Sequence, residues 1–322
     1  MEYKIRIIGN MKSKRATLIY CDRSRYEACK LHRMMNGRCC VSSINVKDST
    51  HQPDTDVLVV WSSAIIYGYY NTLLGIIDTG IQLVIIMDIP IDYLLYPAVG
   101  AHGIQSEIIR RVISYARYIV VNTWEDSLLS THIGTDILYG LYDTDLLYLY
   151  NTRKIIRGEY TLIANGTSED STKWLDTFMV SYLWDRHSST VALWRVTPEG
   201  NEDEYFSSFK NLFLKAPNII FSVHYLTMLS LVRYSKCVIV TQNTSYDGKE
   251  VVAAACYGVP AFTTYGTLAG QILFPELMYR NTPNIDIEHD HMSSILEYAS
   301  SVLPTMSYKN VADKVISLLG GD

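Results

Sequence analysis

"SYDGKEVVAAACYGVPAFTTYGTLAG", Ser245–Gly270, decides the reading of the fold. A glycine-bearing turn opens a short Ala-rich helix, Gly258-Val259-Pro260 breaks it, and an apolar strand leads into a second glycine loop. Asp247 and Glu250 have the Asp-x-x-Glu spacing of a capping box, which starts a helix. A helix N-terminus presents unpaired N–H groups and a partial positive charge, so it attracts phosphate. Gly248 removes a Cβ from the path of an approaching ligand, and Lys249 adds a point charge. Ala253, Ala254 and Ala255 let the helix lie close to a sheet. Gly266 and Gly270 are expected to open a second helix N-terminus. The two together could cradle a diphosphate, or be the ordinary glycine loops of an α/β protein.

Outward from this stretch, apolar β-branched runs recur. In the first half they are "YKIRIIG" (3–9), "TLIYC" (17–21), "CCVSSINV" (39–46), "DVLVVWS" (56–62), "QLVIIMD" (82–88) and "YIVVNT" (118–123). Helix-length stretches at 23–36, 64–77 and 104–116 separate them. After a lapse near 140–160 the rhythm resumes with runs at 160–166, 189–196, 218–224, 236–242 and 259–266. Helical stretches at 171–185, 203–215, 226–235 and 247–257 lie between, and "SYKNVADKVISLL" (307–319) follows. Continuously apolar strands suit parallel sheets buried on both faces, and their alternation with helices predicts doubly wound α/β units. The expected fold is α/β with two Rossmann-like domains, each a parallel sheet flanked by helices, with a cleft between. The expected boundaries are 1–155 and 156–306, with a C-terminal helix in 307–322 crossing back to the first domain. Ligands of open parallel sheets sit beyond the carboxyl ends of the strands, so function is sought in the loops that follow them.

Composition narrows the classes. The 322 residues are 48% apolar and 19% charged, with net charge −5 and no basic stripe, so nucleic acid is not an expected partner. The most apolar stretch, "LLGIIDTGIQLVIIMDIPI", is interrupted by Asp78 and Asp88 well short of a membrane span. The chain begins without a signal-peptide pattern, and the expected location is cytoplasmic. Six cysteines (21, 29, 39, 40, 237 and 256) show no metal-ligand spacing and read as reduced thiols. There is no G-x-G-x-x-G after the first strand, and no Walker A, G-x-S-x-G or H-E-x-x-H motif.

The order "SLVRYSKCVIVTQNTSYDGKEVVAAACYGVPAFTTYGTLAGQIL" resembles the C-terminal domain of GT-B glycosyltransferases. The likeness is to the large retaining family that includes sucrose and mannosyl transferases. There, a strand ends in Ser, and a glycine loop, a helix carrying "EAMACG-P", a strand and a further glycine loop follow. "AAACYGVPAFTT" matches the latter part. Upstream, "YTLIANGTSEDSTKW" resembles the family's first C-domain strand and phosphate loop. The N-terminal half fits more loosely, through "QLVIIMDIP" and "ARYIVVNTWEDSLL". The family's Glu-x(7)-Glu pair falls on Ser245 and Ala253, neither acidic, and its phosphate-binding arginine falls near Thr167.

The resemblance implies a metal-independent transfer of a sugar from a UDP- or GDP-linked donor to a hydroxyl acceptor, with retention. The donor is the substrate, and no cofactor is expected. The acceptor would be a glycan, lipid or protein hydroxyl, with room for a peripheral membrane contact. The implied donor-binding residues are Gly166, Lys173, Val223, His224, Ser245, Tyr246, Gly248, Lys249, Glu250 and Gly266. Glu250, one turn before Ala253, either reaches a donor hydroxyl or only caps its helix. Asp88, at the carboxyl edge of an N-domain strand, is a candidate catalytic or acceptor-binding residue, or a cap. His102 in "VGAHGIQSE" is either a donor to sugar or phosphate or a loop histidine. "EHDH" (288–291) reads as a solvated helix start rather than a metal site. Two rivals stay open: an idle homologue that binds nucleotide or glycan, and a nucleotide-sugar epimerase.

Overall fold

The computed structural model describes residues 14–47, 53–77, 79–89, 110–144, 160–165, 190–194, 219–221, 225–240, 248–280 and 283–320. The expected strand at 3–9 and the interval 145–159 lie outside them. The Cα packing divides the chain into two compact units. The first comprises Met1–Val120, Ser130–Leu138 and Lys309–Asp322, and the second Val121–Leu129 and Tyr139–Tyr308.

The first sheet contains β1 (Arg15–Tyr20), β2 (Cys40–Asn45), β3 (Val57–Trp61), β4 (Gln82–Ile86), β5 (Tyr118–Val121) and β6 (Asp136–Tyr139). Their order is β2-β1-β3-β4-β5-β6, parallel from β2 through β5. Every residue of the interior strand β3 is buried, which is why "VLVVW" has no polar alternation. Edge strand β2 is half-exposed and reads "CVSSIN". Register pairs Leu18 with Val59 and Val59 with Val84, so branched side chains stack across the centre. Helix Arg25–Met35 buries Ala28, Leu31 and Met35, an i, i+3, i+7 stripe. β3 runs directly into Ser62–Ala64, a π-turn over Ile65–Tyr69 and helix Tyr70–Ile77. The Tyr69 hydroxyl is fully buried in that turn, and burial pushes its pKa up to about 12.

The second sheet contains β7 (Tyr160–Asn165), β8 (Thr190–Trp194), β9 (Ile219–Phe221), β10 (Ser235–Val240), β11 (Ala261–Thr264) and β12 (Met278–Tyr279). Its order is β12-β11-β10-β7-β8-β9 and every pair is parallel. The chain steps outward from β7 to β9, returns to place β10 beside β7, and then steps outward on the other side. Helices Tyr225–Arg233, Lys249–Tyr257, Leu268–Leu273 and His289–Val302 accompany these strands. The core joins Val238, Ile239, Val252, Phe262, Phe274 and Leu303, all nearly inaccessible. Cys237 and Cys256 are buried there, which pushes their thiols up to about 11 and about 12, so both stay protonated at neutral pH.

Short β6 and β12, and helix Trp124–Ile133, are absent from the strand and helix assignments made on sequence, whereas helix His289–Val302 begins at the helix start expected in "EHDH". A two-residue strand such as "MY" has no period of its own, and only its pairing of Thr263 with Met278 makes it one. Helix Tyr308–Gly320 begins where Tyr142 and Ser307 form an isolated parallel bridge, with Tyr142 N–H donating to Met306 O at 3.1 Å. In the first unit, Arg38 pairs with Asp313 of this helix at 2.6 Å.

Candidate functional site

The reversal of strand order between β7 and β10, which run parallel, is a topological switch point, where open α/β sheets bind ligands beyond the strand ends. In the sequence Gly166 and Lys173 follow β7, Val223 and His224 follow β9, and Ser245 and Tyr246 follow β10. All six lie outside the described residues, as does His102. After β10 the described residues resume at Gly248.

Gly248 is the N-cap of helix Lys249–Tyr257 and is left-handed, with φ +65°. Val252 N–H donates to its carbonyl at 3.0 Å. A Cβ placed on Gly248 would lie 2.5 Å from the Ala269 Cβ. Backbone handedness and a neighbouring helix therefore both require glycine here, whereas the sequence reading assigned the missing Cβ to an approaching ligand. The capping box is also corrected. With Gly248 at the cap, Glu250 stands at the second helical position rather than the third, and the cap residue itself has no side chain to offer. Asp247 is outside the described residues.

Lys249 is exposed at the first helical position, while Glu250 and every residue to Tyr257 are buried. Glu250 is 0% exposed, so its carboxylate belongs to the packed side of the helix N-terminus. Negative charge at that end is favoured by the helix dipole. Ala253, at the place of the resemblance's second glutamate, is also 0% exposed in the core. The helix ends at Gly258, φ +64°, whose N–H donates to Ala255 O while Val259 N–H donates to Ala254 O at 2.8 Å. These paired bonds form a Schellman motif, which turns the chain directly into β11.

Gly266 lies in the turn after β11, closed by Thr267 N–H donating to Thr264 O at 3.2 Å. Thr267 is the N-cap of helix Leu268–Leu273, so Gly270 is the third helical residue and opens nothing. Its Cβ would fall 1.9 Å from Thr263 Oγ1, so glycine lets this helix lie against β11. The contact between Gly248 and Ala269 then sets the two helix N-termini side by side at the carboxyl edge of the sheet.

In the first unit Asp88 follows β4. Its Oδ1 accepts from Ser62 Oγ and Ser63 N–H, both at 2.8 Å, and its Oδ2 from Ser63 Oγ at 2.6 Å. Ser62 Oγ in turn accepts from Ile89 N–H at 2.9 Å, and Cys21 Sγ donates to Ser63 Oγ at 3.0 Å. A carboxylate from one strand thus satisfies an orphan N–H of the helix launched from the next. The network ties together the carboxyl ends of β1, β3 and β4. The signal for it was the serine pair in "VVWSS", which the sequence reading passed over. Asp88→Ala is expected to destabilise the fold by about 1–3 kcal/mol, because it removes an acceptor from Ser63 N–H. Urea unfolding measures it.

"EHDH" opens helix His289–Val302 with Glu288 as N-cap, and His291 Nε2 meets Glu276 at 3.2 Å. Among the described residues no three His, Cys, Asp or Glu side chains gather as a metal site, and no helix is long and apolar enough to cross a membrane.

No protein-family profile matches the chain, and no curated protein sequence matches it. Solved structures do. Anabaena HepE, in complex with UDP and glucose, aligns over 96% of this chain and 100% of its own, with 12% identity and a TM-score of 0.60. The trehalose 6-phosphate synthase of Burkholderia multivorans aligns over 93% of this chain and 77% of its own, with 13% identity and a TM-score of 0.56. The UDP-GlcNAc 2-epimerase of Methanocaldococcus jannaschii aligns over 96% and 100%, with 11% identity and a TM-score of 0.51. At these identities the likeness is one of fold, and the fold is GT-B.

Proposed function

We propose that the protein is a nucleotide-sugar enzyme and that its reaction is glycosyl transfer from a nucleoside diphosphate donor to a hydroxyl. The observation that carries this reading is the second sheet, with its switch point between β7 and β10 and a helix N-terminus at its carboxyl edge. In this reading the N–H groups at Lys249 and Glu250 and the ammonium of Lys249 face the diphosphate. They stabilise the charge that develops as it leaves, without a metal ion. Gly166, Lys173, Val223, His224, Ser245, Tyr246 and Gly266 complete the donor site. Asp88 and His102 serve the acceptor side, Asp88 from the position that Ser62 and Ser63 hold for it. The fold shared with trehalose 6-phosphate synthase, and with HepE in complex with UDP and glucose, supports this reading.

A second reading, epimerisation of a nucleotide sugar, is favoured by the fold shared with UDP-GlcNAc 2-epimerase. Calorimetric titration with UDP, GDP, ADP and their sugars tests the common part, and failure of all of them to bind would end both readings. NMR of the sugar after incubation without acceptor then separates the two. Epimerisation yields a new nucleotide sugar, whereas a transferase leaves the donor intact or hydrolyses it slowly. Lys249→Ala is expected to weaken donor binding by about 1.5–3 kcal/mol, the range for a hydrogen bond to a charged group, with little change in melting temperature because Lys249 is exposed.

A further inference from the structure

The carboxyl edge of the second sheet carries a second cation, on the strands beyond Lys249. β11 and β12 are parallel neighbours, with Thr264 opposite Tyr279. The next residues, Tyr265 and Arg280, therefore leave the sheet at the same end of adjacent strands. The Arg280 guanidinium carbon lies 5.5 Å from the centroid of the Tyr265 ring. Both side chains are exposed, Tyr265 at 51%. Among the described residues Arg280 has no carboxylate within ion-pair distance, and the nearby Glu276 is paired with His291.

A ring at this distance attracts the guanidinium, whose planar fork of N–H donors suits paired bonds to phosphate oxygens. Tyr265 is itself held, since Gln271 Nε2 donates to its carbonyl. From Tyr265 the chain turns through Gly266 and Thr267 to Ala269, the residue on which Gly248 closes. The Arg280 pair and the N-terminus of helix Lys249–Tyr257 thus share one edge. β12, β11 and β10 are successive strands, so their ends span about 10 Å. A diphosphate carries more negative charge than one lysine answers.

We propose that Arg280, held against Tyr265, is the second cation of the diphosphate site and binds the phosphate oxygens farther from the switch point. This rests on the nucleotide-sugar reading above. It makes Arg280 a contributor to affinity for the diphosphate and indifferent to the base.

The test titrates the full chain with UDP, GDP and ADP and with their nucleosides. Arg280→Ala is expected to lower affinity for the bound diphosphate by about tenfold or more and to leave affinity for the nucleoside unchanged. Arg280→Gln, which keeps the length of the side chain, is expected to show the same selective loss. Arg280→Lys, which keeps charge without the planar fork, should recover only part. Tyr265→Leu should lose several-fold through the unsteadied guanidinium. Melting temperatures are expected to stay at the wild-type value, because both side chains are exposed. Equal diphosphate affinity in wild type, Arg280→Ala and Arg280→Gln would overturn the assignment and leave the nucleotide reading intact. Parallel losses for diphosphate and nucleoside would also overturn it, by showing a general disturbance. Wild-type protein that binds none of the nucleotides would overturn both.

Discussion

Gly248→Ala is expected to destabilise the protein by about 2–5 kcal/mol. The left-handed backbone costs roughly 1–2 kcal/mol for a residue with a Cβ. Overpacking against Ala269, where the new Cβ would stand 2.5 Å from another, adds about 1–3 kcal/mol. Urea unfolding reads the total, and a double-mutant cycle separates the parts. Ala269→Gly in the same chain should return the packing share and leave the backbone share. Full recovery in the double variant would show that handedness costs nothing here, and no loss in the single variant would refute the contact. One practical consequence concerns ligand binding. Gly248 variants disturb the fold before they report on phosphate, so Lys249 and Arg280 are the cleaner probes of the donor site.

Gly270→Ala should also lose stability, by about 1–3 kcal/mol, although alanine is the better helix former by about 1 kcal/mol. The reason is helix Leu268–Leu273 lying against β11, where an added Cβ would fall 1.9 Å from Thr263 Oγ1 and 2.7 Å from its Cβ. Thr263 is wholly buried, so the crowded side chain has no open direction in which to swing. Thr263→Ala removes the hydroxyl and methyl and should restore part of the loss in the double variant. Thermal unfolding of the four proteins checks the cycle. A Gly270→Ala protein more stable than wild type would mean that helix propensity outweighs packing, and that the close approach is relaxed in solution.

These two glycines mark where reading residues one by one stops. The parallel sheets were legible because strands buried on both faces must be continuously apolar, as "VLVVW" and "CVIV" are. Helix Lys249–Tyr257 was legible from its alanines and from the Gly258-Val259-Pro260 break that ends it. Asp88 could be placed at a strand end from "LVIIMD". Its partners could not, because Ser62 and Ser63 stand 26 and 25 residues away in sequence and meet it only when β3 and β4 pair. β12 escaped notice because a strand of two residues is defined by its neighbour. The pairing of Arg280 with Tyr265 escaped notice for the same reason.

The amino-acid sequence by itself determined the local matters: which segments are strands or helices, where turns break them, and that their alternation makes doubly wound units. These follow from burial periodicity and backbone preference over a few residues. Only the tertiary structure decided the strand orders, and with them the switch point between β7 and β10. It alone showed that Gly248 and Gly270 are required by a neighbouring helix and strand. It alone placed Glu250 on a buried face. Such choices depend on which distant surfaces come into contact, and a contact between distant residues leaves no period along the chain.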